Sequence, residues 1–265
     1  MIRTDEPNAD YHADTSCLSH SMLEKFIQSP QLYHGMYVTG TILHEETAAM
    51  RRGSLVHWLV LEADTCDNPY AIIDASTRAT KAWKAGAAQA NDEGLIPCTV
   101  REWEEAELIA NAVLTHPLAS KIFEACQPCK REVSVRWNDN GLMKKARLDL
   151  FAPDVEQLGG PVIIDLKTAA NPSSDKFKWS VRDFGYDRQA AWYCDAAAAE
   201  WQVLPVFLFI VVGTSAPHDV YAYEMPTERI EQARYSNQAS VEMFLACRDS
   251  DIWEREKEME IIPLD

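Results

Sequence analysis

The sequence predicts an α/β fold: a mixed central sheet flanked by helices, in one domain spanning residues 16–250. Three observations carry this. First, Asn138-Asp-Asn-Gly141 lies between two alternating runs, Glu132–Trp137 and Leu142–Phe151, and marks a hairpin. Second, Pro161 to Thr168 places bulky apolar residues at successive positions, as a strand covered on both faces requires. Third, helical patterns precede this region and interleave with the strands that follow it. With 265 residues, 47% hydrophobic and 25% charged, the chain is long enough to bury a full core.

In chain order, residues 1–15 read as a flexible N-terminal segment, acidic and polar, without the apolar centre of a signal peptide. Ser19 to Ser29 has a polar cap, then Leu23, Phe26 and Ile27 at helical spacing, and Pro30 stops it. A helix over Glu45–Leu61 carries His57 among Leu55, Trp58 and Leu61; a histidine so placed is ordinarily a satisfied structural residue. Residues 69–75 suggest a short strand, and 79–92 a helix of small residues around Trp83. Thr99 with Glu102 forms a capping box for a helix to Thr115, His116-Pro117 ends it, and a shorter helix runs to Ala125. After the hairpin and the Pro161–Thr168 strand come helices at 173–182 and 186–202 and strands Val206–Val212 and Val220–Glu224. Pro226 opens a last helix, Thr227 to Arg248, and residues 251–265 form an acidic tail.

Composition narrows the function. No run of 18 apolar residues exists, so no membrane span is expected. Seven scattered cysteines, an odd number, indicate free thiols in a reducing cytoplasm, and the lone pair Cys126-x-x-Cys129 reads as two structural thiols. The net charge of −16 argues against a general nucleic-acid binder, although binding answers to local potential. Lys144, Lys145 and Arg147 flank Asp149, and Lys176, Lys178, Arg182 and Arg188 precede Gln189, while the acids gather at 1–14, 102–107 and 249–265. An acidic exterior around a basic site is the expected picture.

The chemistry concentrates between Lys145 and Tyr193. Asp165 and Lys167 are two apart on a strand and share a face, and Asp149 lies on the preceding run, giving D-x15-D-x-K. Two carboxylates and a lysine can hold a hard divalent cation and leave an ammonium beside it for a phosphate or a water. Gln189 and Tyr193, at i and i+4, share a helix face.

The segments GSLVHWLVLE (53–62), KARLDLF (145–151), IIDLKT (163–168) and GYDRQAAWY (185–193) together resemble the PD-(D/E)xK nuclease superfamily. Within it they are similar to the RecE-type (exonuclease VIII-like) phage exonucleases, over roughly residues 16–225. SPQLYHG (29–35) resembles the S-P-x-x-Y element of RecB-type nucleases. The resemblance implies a restriction-endonuclease-like core and a Mg²⁺-dependent exodeoxyribonuclease, with Mn²⁺ able to substitute. Such an enzyme digests linear double-stranded DNA from the 5′ end and leaves 3′ tails for a single-strand annealing protein. Relatives form rings of three or four subunits, so a homo-oligomeric ring is implied.

By the same resemblance Asp149 and Asp165 are metal ligands with the Leu166 backbone carbonyl, and His57 completes the site or binds a second metal. Lys167 orients the water or offsets charge on the phosphate. Gln189 and Tyr193 buttress Lys167 or contact the phosphate, while the residues alone allow them to cap sheet carbonyls. Glu132 is open between approaching the metal and ending a strand in solvent. Arg51, Arg52, Lys145, Arg147, Lys176, Lys178, Arg182 and Arg188 are candidates to line the DNA. RecB-type relatives can carry an iron–sulfur cluster, with three cysteines near the C-terminus; only Cys194 and Cys247 follow Lys167, so no cluster is expected. No G-x-x-x-x-G-K-[ST] phosphate loop is present, so any motor would be another chain. Two other readings stay open: a non-catalytic scaffold binding DNA ends or protein, and a repair- or restriction-type endonuclease.

Overall fold

The computed structural model describes residues 2–3 and 6–254. Its first part holds β1 (Ile2–Arg3), α1 (Asn8–Ala13), β2 (Leu18–Ser19), α2 (His20–Gln28), α3 (Pro30–Tyr33), a π-helical turn (His34–Val38) and α4 (Ala48–Leu61). Then follow β3 (Tyr70–Ile73), α5 (Lys81–Asp92), β4 (Ile96–Thr99), α6 (Val100–Thr115) and α7 (Pro117–Ala125). The β region comprises β5 (Lys130–Asp139), β6 (Leu142–Val155) and β7 (Gly160–Ala169); α8 (Ser174–Asp183), α9 (Tyr186–Trp201), β8 (Val206–Gly213), β9 (Val220–Glu224) and α10 (Thr227–Ser250) complete the order.

Seven strands form the main sheet, ordered β1-β5-β6-β7-β8-β9, with β2 alongside β6. β5, β6 and β7 are mutually antiparallel, β7 and β8 run parallel, and β9 returns antiparallel to β8. The parallel pair needs a crossover, and α8 and α9 supply it. One face is covered by α2, α8, α9 and α10, whose Phe26, Phe177, Trp192 and Phe244 share a core with Ile163 and Phe209. The other is covered by α4, α6 and α7 through Leu55, Ile109 and Ala119, packed on Ile164, Leu166 and Ile210. β7 and β8 are thus covered on both sides, as the apolar stretch Val162–Ile164 and the wholly apolar β8 require.

Local chemistry sets the helix starts. The Thr99–Glu102 capping box is formed on both sides. Thr47 Oγ1 accepts from the Met50 N–H at 3.2 Å, so the second long helix opens at Ala48 and not at Glu45. β4 was not expected from the sequence; it pairs parallel with β3 in a separate two-stranded sheet.

The N-terminal stretch departs from its reading as a flexible segment. α1 lies there with Tyr11 buried, and β1 pairs with β5. Arg136 grips both Glu6 oxygens at 2.9 and 2.7 Å and Asp14 at 3.1 Å. The buried Lys145 ammonium donates to the carbonyls of Tyr11 and Asp14 at the end of α1. Glu6 and Asp14 of this acidic segment are matched by Arg136 on β5, and charge-assisted bonds of this kind hold a short helix that its own propensity would not. The acidic tail falls largely on residues 255–265, outside the described residues. No helix among the described residues is long and apolar enough to cross a membrane.

Candidate active site

The site begins where the sheet opens. On β6, Ala146 and Leu148 belong to the core under α9, whereas Leu150 and Ala152 belong to the core under α4. The alternation inverts at Asp149. Opposite it on β5, between the pairs Arg131↔Leu150 and Val133↔Leu148, Glu132 adopts φ 48°. A left-handed non-glycine residue costs about 1–2 kcal/mol, and the surrounding pairs must sustain it.

The ladder between β6 and β7 reaches Leu150↔Ile164 and goes no further toward Leu166. Side chains take over the exposed backbone groups. Asp149 Oδ2 accepts the Leu166 N–H at 2.8 Å, and the Leu166 carbonyl is 2.7 Å from His57 Nε2. A carbonyl only accepts, so Nε2 carries the proton in that bond. The other ring nitrogen, Nδ1, then faces Asp149 Oδ2 at 3.5 Å and Glu132 Oε1 at 4.0 Å. One ligand atom from each of His57, Glu132 and Asp149 lies within 4.8 Å of the others. A histidine whose second N–H is fixed by a backbone carbonyl has the orientation metal-binding imidazoles commonly use. Glu132 Oε2 is steadied by Arg147 Nε at 2.8 Å.

Asp165 and Lys167 project together to the α9 side of β7, with Lys167 Nζ 2.5 Å from Asp165 Oδ2. From α9, Gln189 Nε2 donates to Asp165 Oδ1 at 3.1 Å and to the Tyr193 hydroxyl at 3.0 Å. The Lys167 ammonium also lies 4.8 Å from the Tyr186 ring centroid. Tyr186 was missed in the sequence; its only signal was its place one residue after Gly185 in the quoted helix segment.

Electrostatics record the crowding of like charges. Burial and then the neighbouring Asp165 raise Asp149 to about 7. Burial would lower His57, but Asp149 and Glu132 outweigh it and hold the imidazole at about 9. Glu132 is opposed by burial yet kept below its usual range by His57 and Arg147. Lys167 is likewise opposed by burial and raised by Asp165 and Asp149. Tyr193, buried and near Asp165, is pushed well above the ordinary phenol value. A carboxylate driven toward its neutral form and an imidazolium wedged between two carboxylates form a donor set that a divalent cation would relieve. The residues fit a hard metal, with His57, Glu132 and Asp149 nearest one another and the second lone pair of the Leu166 carbonyl beside them.

Several residues expected to line DNA are engaged elsewhere. Lys145 is 1% exposed and holds α1. Arg147 is bound to Glu132 and to the Glu6 carbonyl. Arg188 makes a two-point pair with Glu24 at 2.7 and 2.6 Å. Arg51 is turned to Glu102 and the Glu46 carbonyl. Their charges were legible, but their partners lie up to 164 residues away. Lys176, Lys178 and Arg182 are exposed on α8, and the Arg52 Nε is buried with no partner among the described residues. The cysteines are all free.

An opened mixed sheet carrying Asp149 on one strand and Asp165-Leu-Lys167 on the next is the core of the PD-(D/E)xK class of nuclease folds. The chain belongs to a family of that class, described as the PDDEXK-like domain of unknown function DUF3799, which matches residues 19–259. Among solved structures, it superposes on a candidate exonuclease from Eubacterium rectale with a TM-score of 0.66 and 15% identity, covering 99% of this chain and 97% of that one. The structure of SSO0001 aligns at a TM-score of 0.29 and 12% identity, over 73% of this chain and 86% of that one, too distant to carry an argument. No curated protein matches the sequence.

Proposed function

We propose that this protein is a Mg²⁺-dependent exodeoxyribonuclease acting on linear double-stranded DNA, 5′ to 3′, to leave 3′ single-stranded tails for recombination by strand annealing. The observation that carries the hydrolytic part is the opening between β6 and β7. It gathers His57, Glu132 and Asp149 within ligand distance of one another beside the Asp165–Lys167 pair. His57, Glu132, Asp149 and the Leu166 carbonyl would hold the cation, with Asp165 next to them. When bound, the cation supplies acidity for a water and charge stabilisation for the phosphate. Mn²⁺ should substitute, because it takes the same carboxylate, carbonyl and water oxygens as Mg²⁺.

The protein's own groups do the rest. Lys167, fixed between Asp165 and the Tyr186 ring, offers an ammonium to the attacked phosphate or its water. Gln189 holds Asp165 in its rotamer and Tyr193 steadies Gln189, so both act by positioning. Arg52 and the exposed cations of α8 are the charges left to meet a phosphate backbone. End dependence, polarity, an annealing partner and a ring of three or four copies follow from the RecE-type resemblance.

The test is purified protein with Mg²⁺ and linear duplex labelled at either the 5′ or the 3′ end, beside a covalently closed circle. Linear DNA should be degraded with early release of the 5′ label, and the circle spared. Cutting of the circle would assign an endonuclease; binding without hydrolysis would assign a scaffold.

A further inference from the structure

Phe184 stands at the corner between α8 and α9 with 62% of its surface exposed. A single exposed apolar side chain is ordinary on a soluble protein. Its neighbours set this one apart. Its ring lies 5.7 Å from that of Tyr186, and the Tyr186 ring lies 4.8 Å beneath the Lys167 ammonium. On its inner side Tyr186 packs against Phe177 and Phe209, each at 5.9 Å. An aromatic row thus runs from the core to solvent, passes the site lysine, and ends in one open ring. The corner is fixed: Gly185 takes φ +64°, and a Cβ there would meet Arg188 Nη2 at 2.6 Å and the Glu24 carboxyl at 3.0 Å. The helix leading into it carries Lys176, Lys178 and Arg182, and none of them pairs with a carboxylate outside α8 among the described residues.

We propose that Phe184 is a base-stacking residue, on which an unpaired nucleobase adjoining the scissile phosphate rests. The inference rests on the nuclease reading above and names the form in which the duplex end is taken: frayed, with the nucleotide being cut unpaired from its partner. A phosphate beside Lys167 leaves its own base within reach of the next ring but one. A base within a duplex is covered on both faces and a terminal pair offers only its outer one, whereas an unpaired base can turn either face to an aromatic ring whatever its sequence. The cations of α8 supply the attraction for the backbone that follows.

The experiment measures binding, apart from hydrolysis. The full-length protein, chelated with EDTA, is titrated against a fluorescent single-stranded oligonucleotide and a series carrying one abasic position moved along from the end. Wild type, Phe184→Ala, Phe184→Leu and Phe184→Trp are compared after melts confirm folding. One abasic position should weaken wild-type binding about tenfold. Phe184→Ala and Phe184→Leu should lose a similar factor on the intact strand and show no further loss at that position, while Phe184→Trp retains both. An equal abasic effect in wild type and Phe184→Ala, or unchanged binding in Phe184→Ala, overturns the assignment, as does a wild type that binds no single strand. If the wild type still hydrolyses linear DNA in those cases, only the stacking falls and the nuclease reading stands.

Discussion

Replacing His57 by alanine removes two things at once: the donor to the Leu166 carbonyl and the positive charge between Asp149 and Glu132. An unpaired buried carbonyl costs about 1–3 kcal/mol. The charge adds a pH-dependent part whose sign is fixed. His57 is raised in the folded protein from 6.5 to about 9, so its contribution is complete below 6.5 and lost as pH rises through 9. At 1.36 kcal/mol per pH unit that window holds roughly 3 kcal/mol at most, and the ring's partial exposure reduces it. Asp149 overlaps only the lower edge of that window. An acid raised from 3.8 to about 7 accrues its penalty between those values and little above them. In EDTA the wild type should therefore melt several degrees lower at pH 9 than at pH 6.5, at about 2–4 °C per kcal/mol for a chain of this size. His57→Ala should melt lower at pH 6.5 and show a flatter profile. Mn²⁺ should restore the wild type most at high pH, where no proton competes for the ring. The variant should need at least about 10–100 times more metal for the same stabilisation and hydrolysis. A pH-independent wild-type melt in EDTA, or a variant with an unchanged metal midpoint and normal hydrolysis per folded molecule, would refute the assignment of His57 to the metal.

Other substitutions separate chemistry from support. Asp165→Asn should lower DNA hydrolysis about 10²–10³-fold and also lower the melt, because the buried Lys167 ammonium loses its carboxylate. Lys167→Ala should lose activity and also about 3–5 kcal/mol of stability, because Asp165 is left buried and uncompensated; the double variant Lys167→Ala/Asp165→Asn should recover the melt but not the activity. Gly185→Ala should cost about 1–2 kcal/mol through its positive φ and displace the Glu24–Arg188 pair, read by denaturant unfolding. Lys145→Met should release α1, seen as amide exchange at residues 8–14 rising ahead of global unfolding, with DNA affinity per folded molecule unchanged.

Much of the frame was legible because it is written in local periods. The two-residue spacing put Asp165 and Lys167 on one face, the four-residue spacing aligned Gln189 with Tyr193, and Asn138–Gly141 turned the hairpin. What stayed hidden breaks a period or crosses the fold. The inversion at Asp149 leaves the apolar pattern of β6 looking continuous, since Leu148 and Leu150 are both buried, on opposite faces. Glu132 has no sequence mark of its φ 48°, as a glycine would have given. Asp149 and Asp165 read as one carboxylate pair, yet among the described residues Asp149 gathers with His57 and Glu132 while Asp165 is held by Lys167 and Gln189. β4 was obscured by the proline within Ile96–Thr99. Basic residues announce a charge but not its partner, so Lys145 and Arg188 read as DNA-facing when they are fastened within the protein.

The fastening of the first residues to β5 and β6 has a consequence for where this protein can be cut. The family's match begins at residue 19, and a chain trimmed there would look complete by sequence. It would lack Glu6 and Asp14, the two carboxylates that grip the Arg136 guanidinium, and the carbonyls of Tyr11 and Asp14 that receive the buried Lys145 ammonium. Arg147 would lose the Glu6 carbonyl and be left to Glu132 and Ser134. The damage would then travel inward along a single arginine, from a terminus that looks dispensable to the carboxylate that faces His57. For expression, tagging or dissection of this protein, the boundary that matters is drawn by matched charges and starts no later than Glu6.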